Sequence, residues 1–258
     1  MANDIHRRGF VARVAASVAA VSLGGQSAVA QAASWWDALG SAEVLTKDAQ
    51  RLLLRRQSLA PEFAESAISP AFKANGTTQP DDPSYQKLAQ ANFKDWRLEV
   101  GGLVDTPMRL SLEDLRAFPS RTQITRHDCV EGWSCIGKWT GVPLATVLQK
   151  AGVKSDAKYI LFSCADKLEQ TLDGSGQYYE TIDLIDAFHP QTILAYDMNN
   201  APLPIPHGAP LRLRVERQLG YKMAKYLMKI EAITGFEKIS GGHGGYWEDR
   251  GYQWYAGI

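Results

Sequence analysis

Cysteine is scarce in this chain. Its 258 residues hold three, Cys129, Cys135 and Cys164. The count is odd, so at least one thiol stays unpaired unless it binds something or pairs between chains. There is no Cys-x-x-Cys, no Cys-x-x-Cys-His and no zinc-type spacing. Covalent c-type haem, the common iron–sulfur frameworks and structural zinc are thereby excluded. An excess of either charge is also missing, since 28 basic residues face 28 acidic ones. Nucleic acid and anionic membrane surfaces are therefore not expected partners. No apolar run approaches the ~20 residues of a membrane-spanning helix, and there is no internal repeat, low-complexity linker or charge run. Aromatics, by contrast, are plentiful, with seven Trp and ten Tyr. They fit an aromatic core or an aromatic-lined cleft. At 45% hydrophobic residues the chain can bury a substantial core, and its length suits one large domain or two small ones.

The first thirty-odd residues read as a targeting segment. Arg7-Arg8-Gly9-Phe10 is a twin-arginine pattern, followed by an alanine-rich apolar stretch from Val11 to Leu23. Ala28-Val29-Ala30 and Ala30-Gln31-Ala32 are both acceptable small-x-small cleavage sites. The expected organisation is a twin-arginine signal over 1–32, a helical extension over 33–67 and one domain over 68–258. Export by this route predicts a folded, periplasmic protein that is not membrane-spanning.

Within 34–60 the pattern is amphipathic and helical, with Arg51, Arg55 and Arg56 on one side. Residues 75 to 87 carry Asn-Gly, Gln-Pro and Asp-Asp-Pro and read as a loop. Alternation marks Trp96–Val100 as a strand. Ser111-Leu112-Glu113-Asp114 opens a helix with a capping-box-like pattern. Pro143 starts another that Gly152 can end. Tyr159–Phe162, Ile193–Tyr196, Leu211–Val215 and Tyr226–Ile233 read as strands, and Ile182–Phe188 as a short helix. Strands and short helices mix without a βαβ rhythm, which predicts an α+β fold.

Three stretches carry candidate chemistry. The first is Thr125-Arg126-His127-Asp128-Cys129-Val130-Glu131-Gly132-Trp133. A thiolate is a soft donor suited to a redox metal, but a lone cysteine is equally a small buried residue. The second is Pro206-His207-Gly208-Ala209-Pro210-Leu211-Arg212. Gly208 and Pro210 bend the chain before a strand, whose alternation puts Leu211, Leu213 and Val215 on one face and Arg212 and Arg214 on the other. An arginine there suits bidentate phosphate recognition, or a surface salt bridge to Glu216 or Asp197. The third is Gly220-Tyr221-Lys222-Met223-Ala224-Lys225, where Gly220 allows close backbone approach and the lysines offer point charges. Lys222 reads as solvated surface.

Cys129–Trp133, followed by Trp139-Thr140-Gly141-Val142-Pro143-Leu144, resembles the molybdenum-ligand segment of the sulfite oxidase family of molybdopterin enzymes. The likeness is greater to the bacterial branch of periplasmic methionine sulfoxide reductase catalytic subunits. The resemblance spans roughly 68 to 252. It implies the family's molybdopterin-binding fold of mixed sheets with short helices, a molybdenum–molybdopterin cofactor, and Cys129 as direct metal ligand. It further implies cofactor contacts from His207, Arg212 and Lys225. Asn75, in Phe72-Lys73-Ala74-Asn75-Gly76, matches a pterin-contacting Asn and is equally an Asn-Gly turn. Cys164 stands where the relatives place a pterin-contacting Thr, and a buried apolar role fits it as well.

The resemblance implies oxygen-atom transfer to or from a small-molecule substrate. With no haem motif in the chain, electrons are expected to pass through a separate protein, a cytochrome or a membrane haem subunit. Sulfite oxidases carry an Arg at the position of Ala74 and further arginines after the ligand cysteine, where this chain has Trp133-Ser134. An oxyanion in a closed pocket needs charge compensation, so a neutral S-oxide or N-oxide is the expected substrate. The alternatives are a sulfite dehydrogenase or oxidase, and a metal-free binding module of the same fold.

Overall fold

Local signals start most of the elements in the computed structural model, which describes residues 58–172, 174 and 176–258 together with Ala49. The expected signal segment and nearly all of the helix expected over 34–60 lie outside the described residues. Residues 58 to 67 carry no α-helix, only a 3-10 turn at Glu65–Ala67. The stretch read as a loop over 75–87 is corrected in its second half. Asp82 accepts a hydrogen bond from the Tyr85 N–H at 2.8 Å, Pro83 fills the first helical position, and α1 (Pro83–Gln90) follows. Proline is tolerated there because that N–H has no helical partner to lose.

The chain continues through β1 (Leu98–Gly102), β2 (Met108–Leu110) and α2 (Leu112–Ala117). Ser111 caps α2 through a reciprocal box with Asp114, as its sequence predicts. Next come β3 (Arg121–Asp128), β4 (Ser134–Pro143) and α3 (Leu144–Ala151), the last stopped by Gly152 at φ +70. Then follow β5 (Tyr159–Lys167), β6 (Gln177–Asp183), α4 (Leu184–Ala187), β7 (Ile193–Met198), β8 (Ala201–Pro202), β9 (Arg212–Arg214) and β10 (Leu227–Ile233). The helix expected from Ile182 is thus shorter, because Ile182 and Asp183 stay paired to β5.

The strands form two five-stranded sheets. One runs β2-β1-β10-β5-β6, the other β3-β4-β7-β8 with β9 on the far part of β7. Among the described residues only β1 and β10 pair in parallel; the other pairs are antiparallel. This is an α+β fold of mixed sheets with short helices.

The main core is built from Trp96, Leu98, Leu144, Leu148, Ile160, Phe162, Leu213 and Ile230, all sealed from solvent. Leu194, Leu211 and Leu227 join it from the neighbouring strands. The alternation expected in β9 holds, but neither face is wet, since Arg212 and Arg214 are both 0% exposed. Two fully buried guanidiniums in one short strand require strong local compensation, and they mark where function concentrates.

Candidate active site

β3 and β4 form a hairpin, His127 opposite Cys135 and Asp128 opposite Ser134, so Cys129 is the first residue past the ladder. Its N–H donates to the Trp133 carbonyl at 3.0 Å, and the Gly132 N–H donates to its own carbonyl at 3.0 Å. The tight loop holds the half-buried Cys129 thiol at the mouth of a cavity of about 80 Å³. Burial pushes that thiol above its ordinary pKa. A bound metal cation reverses this by stabilising the thiolate.

Asn75, Thr77, Asp166, Tyr178 and Lys225 line the same cavity. Lys225 is 6% exposed. Its ammonium donates to the carbonyls of Asn75 at 2.6 Å and Pro206 at 3.3 Å, and to that of Thr77. Its three N–H donors are thereby used, so it lends the cavity charge rather than a free donor. Burial, and then the nearby Arg212, draw its pKa down to about 7. Asp166, 3% exposed, is raised by burial to about 6, with Lys225 opposing the shift. Its Oδ1 has no partner.

His207 and Arg212 adjoin this cavity without lining it. Arg212 Nη1 donates to the His207 carbonyl at 2.9 Å, and Nη2 to that of Met223 at 3.5 Å. Its guanidinium lies 5.0 Å from the Trp139 ring centroid. The salt bridges open to Arg212 in sequence are made by others: Glu216 pairs with Arg214, and Asp197 with Arg116. Among the described residues Arg212 makes no direct ion pair, though the Glu216 carboxylate bound by Arg214 attracts it, and its Nε is buried without a partner. Burial, followed by repulsion from Arg214, pulls its pKa to about 9. His207 is held near 4, by burial first and by Arg212 next. Gly208 makes this crowding possible. At φ +109, a Cβ there would stand 2.9 Å from Lys225 Cβ and 3.2 Å from Arg212 Cβ.

The structure thus brings Asn75, Cys129 and Lys225 to one cavity, with His207 and Arg212 beside it. Cys164 is not brought there. It lies in the main core opposite Leu227, where burial holds its thiol well above the ordinary value. β5 runs on past Cys164, and the lining residue is Asp166, two positions later. Sequence reasoning missed Asp166, Tyr178 and Tyr221, all in the lining. Trp247, also in the lining, belongs to the run 245–252, which resembles a C-terminal segment of the family expected to wrap near the site. Lys222, read as surface, is corrected. It is fully buried and bonded to Glu180 and Glu248.

A larger cavity, about 220 Å³, is lined by Phe63, Thr125, Arg126, Glu216 and Arg217 among others, and by none of the predicted site residues. The smaller one holds the chemistry, because only it joins a thiol to unpartnered buried polar atoms. Its donor set fits a thiolate-ligated, anionic, amine-bearing cofactor. Cys129 offers a soft ligand, Arg212 a buried cation with no direct ion pair among the described residues, and Asp166 Oδ1 a buried acceptor without a donor.

Such a set defines an oxidoreductase that borrows its redox chemistry from a bound group. Residues 85–238 match the oxidoreductase molybdopterin binding domain, and the chain belongs to this sulfite oxidase family of molybdopterin-binding oxidoreductases. Among its relatives is the putative protein-methionine-sulfoxide reductase subunit YedZ1 of Azospira oryzae. It is 39% identical over 208 residues, covering 81% of this chain and 71% of that protein. The protein-methionine-sulfoxide reductase catalytic subunit MsrP of Xanthomonas axonopodis pv. citri is 37% identical over 164 residues, covering 60% of this chain. The match spans only 50% of the MsrP length. The uncharacterized oxidoreductase YuiH of Bacillus subtilis is 35% identical over 173 residues, 67% of this chain and 77% of its own.

Proposed function

We propose that this chain is a periplasmic molybdenum–pterin enzyme that reduces S-oxides, with methionine sulfoxide as the substrate class. The observation that carries the reading is the meeting of Cys129, Asn75, Asp166 and Lys225 in one cavity beside an Arg212 that makes no direct ion pair among the described residues and keeps an unpartnered buried Nε. The names of YedZ1 and MsrP support the substrate class.

When bound, the cofactor supplies two-electron oxygen-atom transfer. The chain does the rest. Cys129 holds the metal. Arg212, Lys225 and His207 hold the anionic end of the pterin. Asp166 would offer that group a buried acceptor. Tyr178, Tyr221 and Trp247 wall the cavity and exclude water. Ala74 and Trp133-Ser134 leave the approach to Cys129 without the arginines a sulfite pocket needs. Glu131 and Lys73 neutralise one another there at 3.3 Å, so a neutral substrate is favoured.

Electrons would come from a separate protein, a cytochrome or a membrane haem subunit. Among the described residues no helix is long and apolar enough to cross a membrane, and the sequence carries no haem motif. The twin-arginine pattern at Arg7-Arg8 supports the periplasmic assignment. The test is protein recovered from the periplasm, assayed for molybdenum and pterin and then for turnover with dye partners. Reduction of methionine sulfoxide should exceed oxidation of sulfite in kcat/KM. The reverse order restores the sulfite dehydrogenase alternative. Absence of both metal and pterin leaves the binding-module alternative.

A further inference from the structure

His127 is fully buried on β3, two residues before Cys129. Its Nδ1 lies 3.0 Å from Arg214 Nη1. A guanidinium only donates, so Nδ1 accepts and the ring proton sits on Nε2. Arg214 is itself held in place. Its Nε and Nη2 donate to Glu216 at 2.9 and 2.6 Å, and Gln123 donates to the same carboxylate at 2.9 Å. Gln123, Arg214 and Glu216 are all buried. This chain of bonds fixes one tautomer and one ring orientation.

The far edge of the ring faces Gly220, which lines the cavity. A Cβ at Gly220 would meet His127 Cε1 and Nε2 at 2.4 Å. Glycine is required there, and the ring edge presses against the cavity wall. Yet the Nε2–H is buried with no acceptor, a costly state that native folds seldom keep without a use. Two further donors nearby share it. Trp139 Nε1 and Arg212 Nε are also buried and unpartnered. Phe72 sits among them, its ring centroid 5.8 Å from His127 and 5.3 Å from Trp139. Three unused N–H donors, one of them on the Arg212 guanidinium that makes no direct ion pair among the described residues, ask for an anion.

We propose that His127 donates its Nε2–H to an anionic oxygen of the bound pterin cofactor, at the phosphate end that Arg212 serves. Its partners Arg214 and Glu216 are positioning residues that hold the tautomer. This inference rests on reading the cavity as a pterin cofactor site.

The test compares wild type with His127→Gln, His127→Phe and His127→Asn, all recovered from the periplasm. Gln keeps an N–H at a similar reach, Phe keeps the ring without a donor, and Asn is too short. Molybdenum and pterin per chain are measured, with the urea midpoint of each protein made without molybdate as a control for folding. His127→Gln should keep more than half of the wild-type cofactor. His127→Phe and His127→Asn should keep about a tenth or less at a wild-type-like midpoint, and His127→Asn decides where His127→Phe does not accumulate. Wild-type loading of a donorless variant overturns the inference, as does a depleted but stable His127→Gln. Molybdenum-loaded His127→Gln should also keep the wild-type Mo(V) paramagnetic resonance signal. A shifted signal places His127 at the metal and overturns its assignment to the phosphate. Wild type without molybdenum or pterin instead overturns the cofactor reading, a distinct result.

Discussion

Lys225 donates to the carbonyl of Asn75 at 2.6 Å, across 150 positions of sequence. Two motifs near opposite ends of the domain thus meet at one ammonium, which also holds Thr77 and Pro206. Besides Lys225, the segment carrying Phe72 and Asn75 is held by Tyr226 Oη, which donates to the Thr77 carbonyl at 2.8 Å, and by Lys73, which pairs with Glu131 at 3.3 Å. Ser69 bonds to Ile136, and the Ala71 carbonyl accepts only a long contact from Cys135 Sγ at 3.8 Å. Lys225→Met should therefore loosen residues 69–77 locally. Amide exchange measured by mass spectrometry should speed up there and stay near wild type in β5 and β10. Uniform acceleration would mean that Lys225 supports the whole core instead.

The two thiols of the hairpin should separate cleanly. Cys129 opens on the cavity, whereas Cys135 lies on β4, outside the lining residues. Cys129→Ser should abolish turnover, because it replaces the proposed soft metal ligand. Cys135→Ser should keep molybdenum and activity. An active Cys129→Ser with a dead Cys135→Ser would reverse the ligand assignment.

The resemblance carried by Cys129, Glu131, Gly132 and Trp133 singles out a thiol that the structure places in the cavity lining, and the capping box at Ser111 and the stop at Gly152 are local signals with local outcomes. The lining residues Asp166 and Tyr178 were not legible. They come from β5 and β6, whose own sequences read as core, and only the packing of distant loops exposes them to the cavity. Lys222 misled for the same reason. Its carboxylate partners stand 42 and 26 positions away, and nothing beside it in sequence predicts a buried cation. α1 was missed because Asp82-Pro83 reads as a turn, although that pair also suits a helix start.

The buried cluster at Lys222 carries its own prediction. Lys222, Glu180 and Glu248 have fully buried side chains, so the ammonium is the cation that compensates both acids. Burial and the neighbouring Glu248 push Glu180 well above the usual carboxylate range. Lys222→Met should destabilise the protein by about 3–5 kcal/mol, the usual cost of stranding a buried charge. Adding Glu180→Gln and Glu248→Gln should recover a substantial part of it. The urea midpoint checks both. A Lys222→Met protein within about 1 kcal/mol of wild type would mean the acids share protons and need no cation.

His207 predicts the acid limb of stability. Burial and Arg212 hold its folded pKa near 4, whereas the unfolded side chain titrates near its ordinary ~6.5. Between these values the unfolded state binds the proton and the folded state does not, so stability falls as pH drops from about 6.5 to about 4. Below about 4 both states are protonated and the contribution levels off. His189 is held near 4 as well, by burial and then Arg217, so the wild-type slope belongs to more than one residue. The difference between wild type and His207→Gln isolates the share of His207. In protein made without molybdate, chemical denaturation from pH 4 to 7 should show the variant losing less stability on acidification. Parallel curves would mean that His207 takes up its proton in the folded state at an ordinary pH, and that the charge of Arg212 does not reach it.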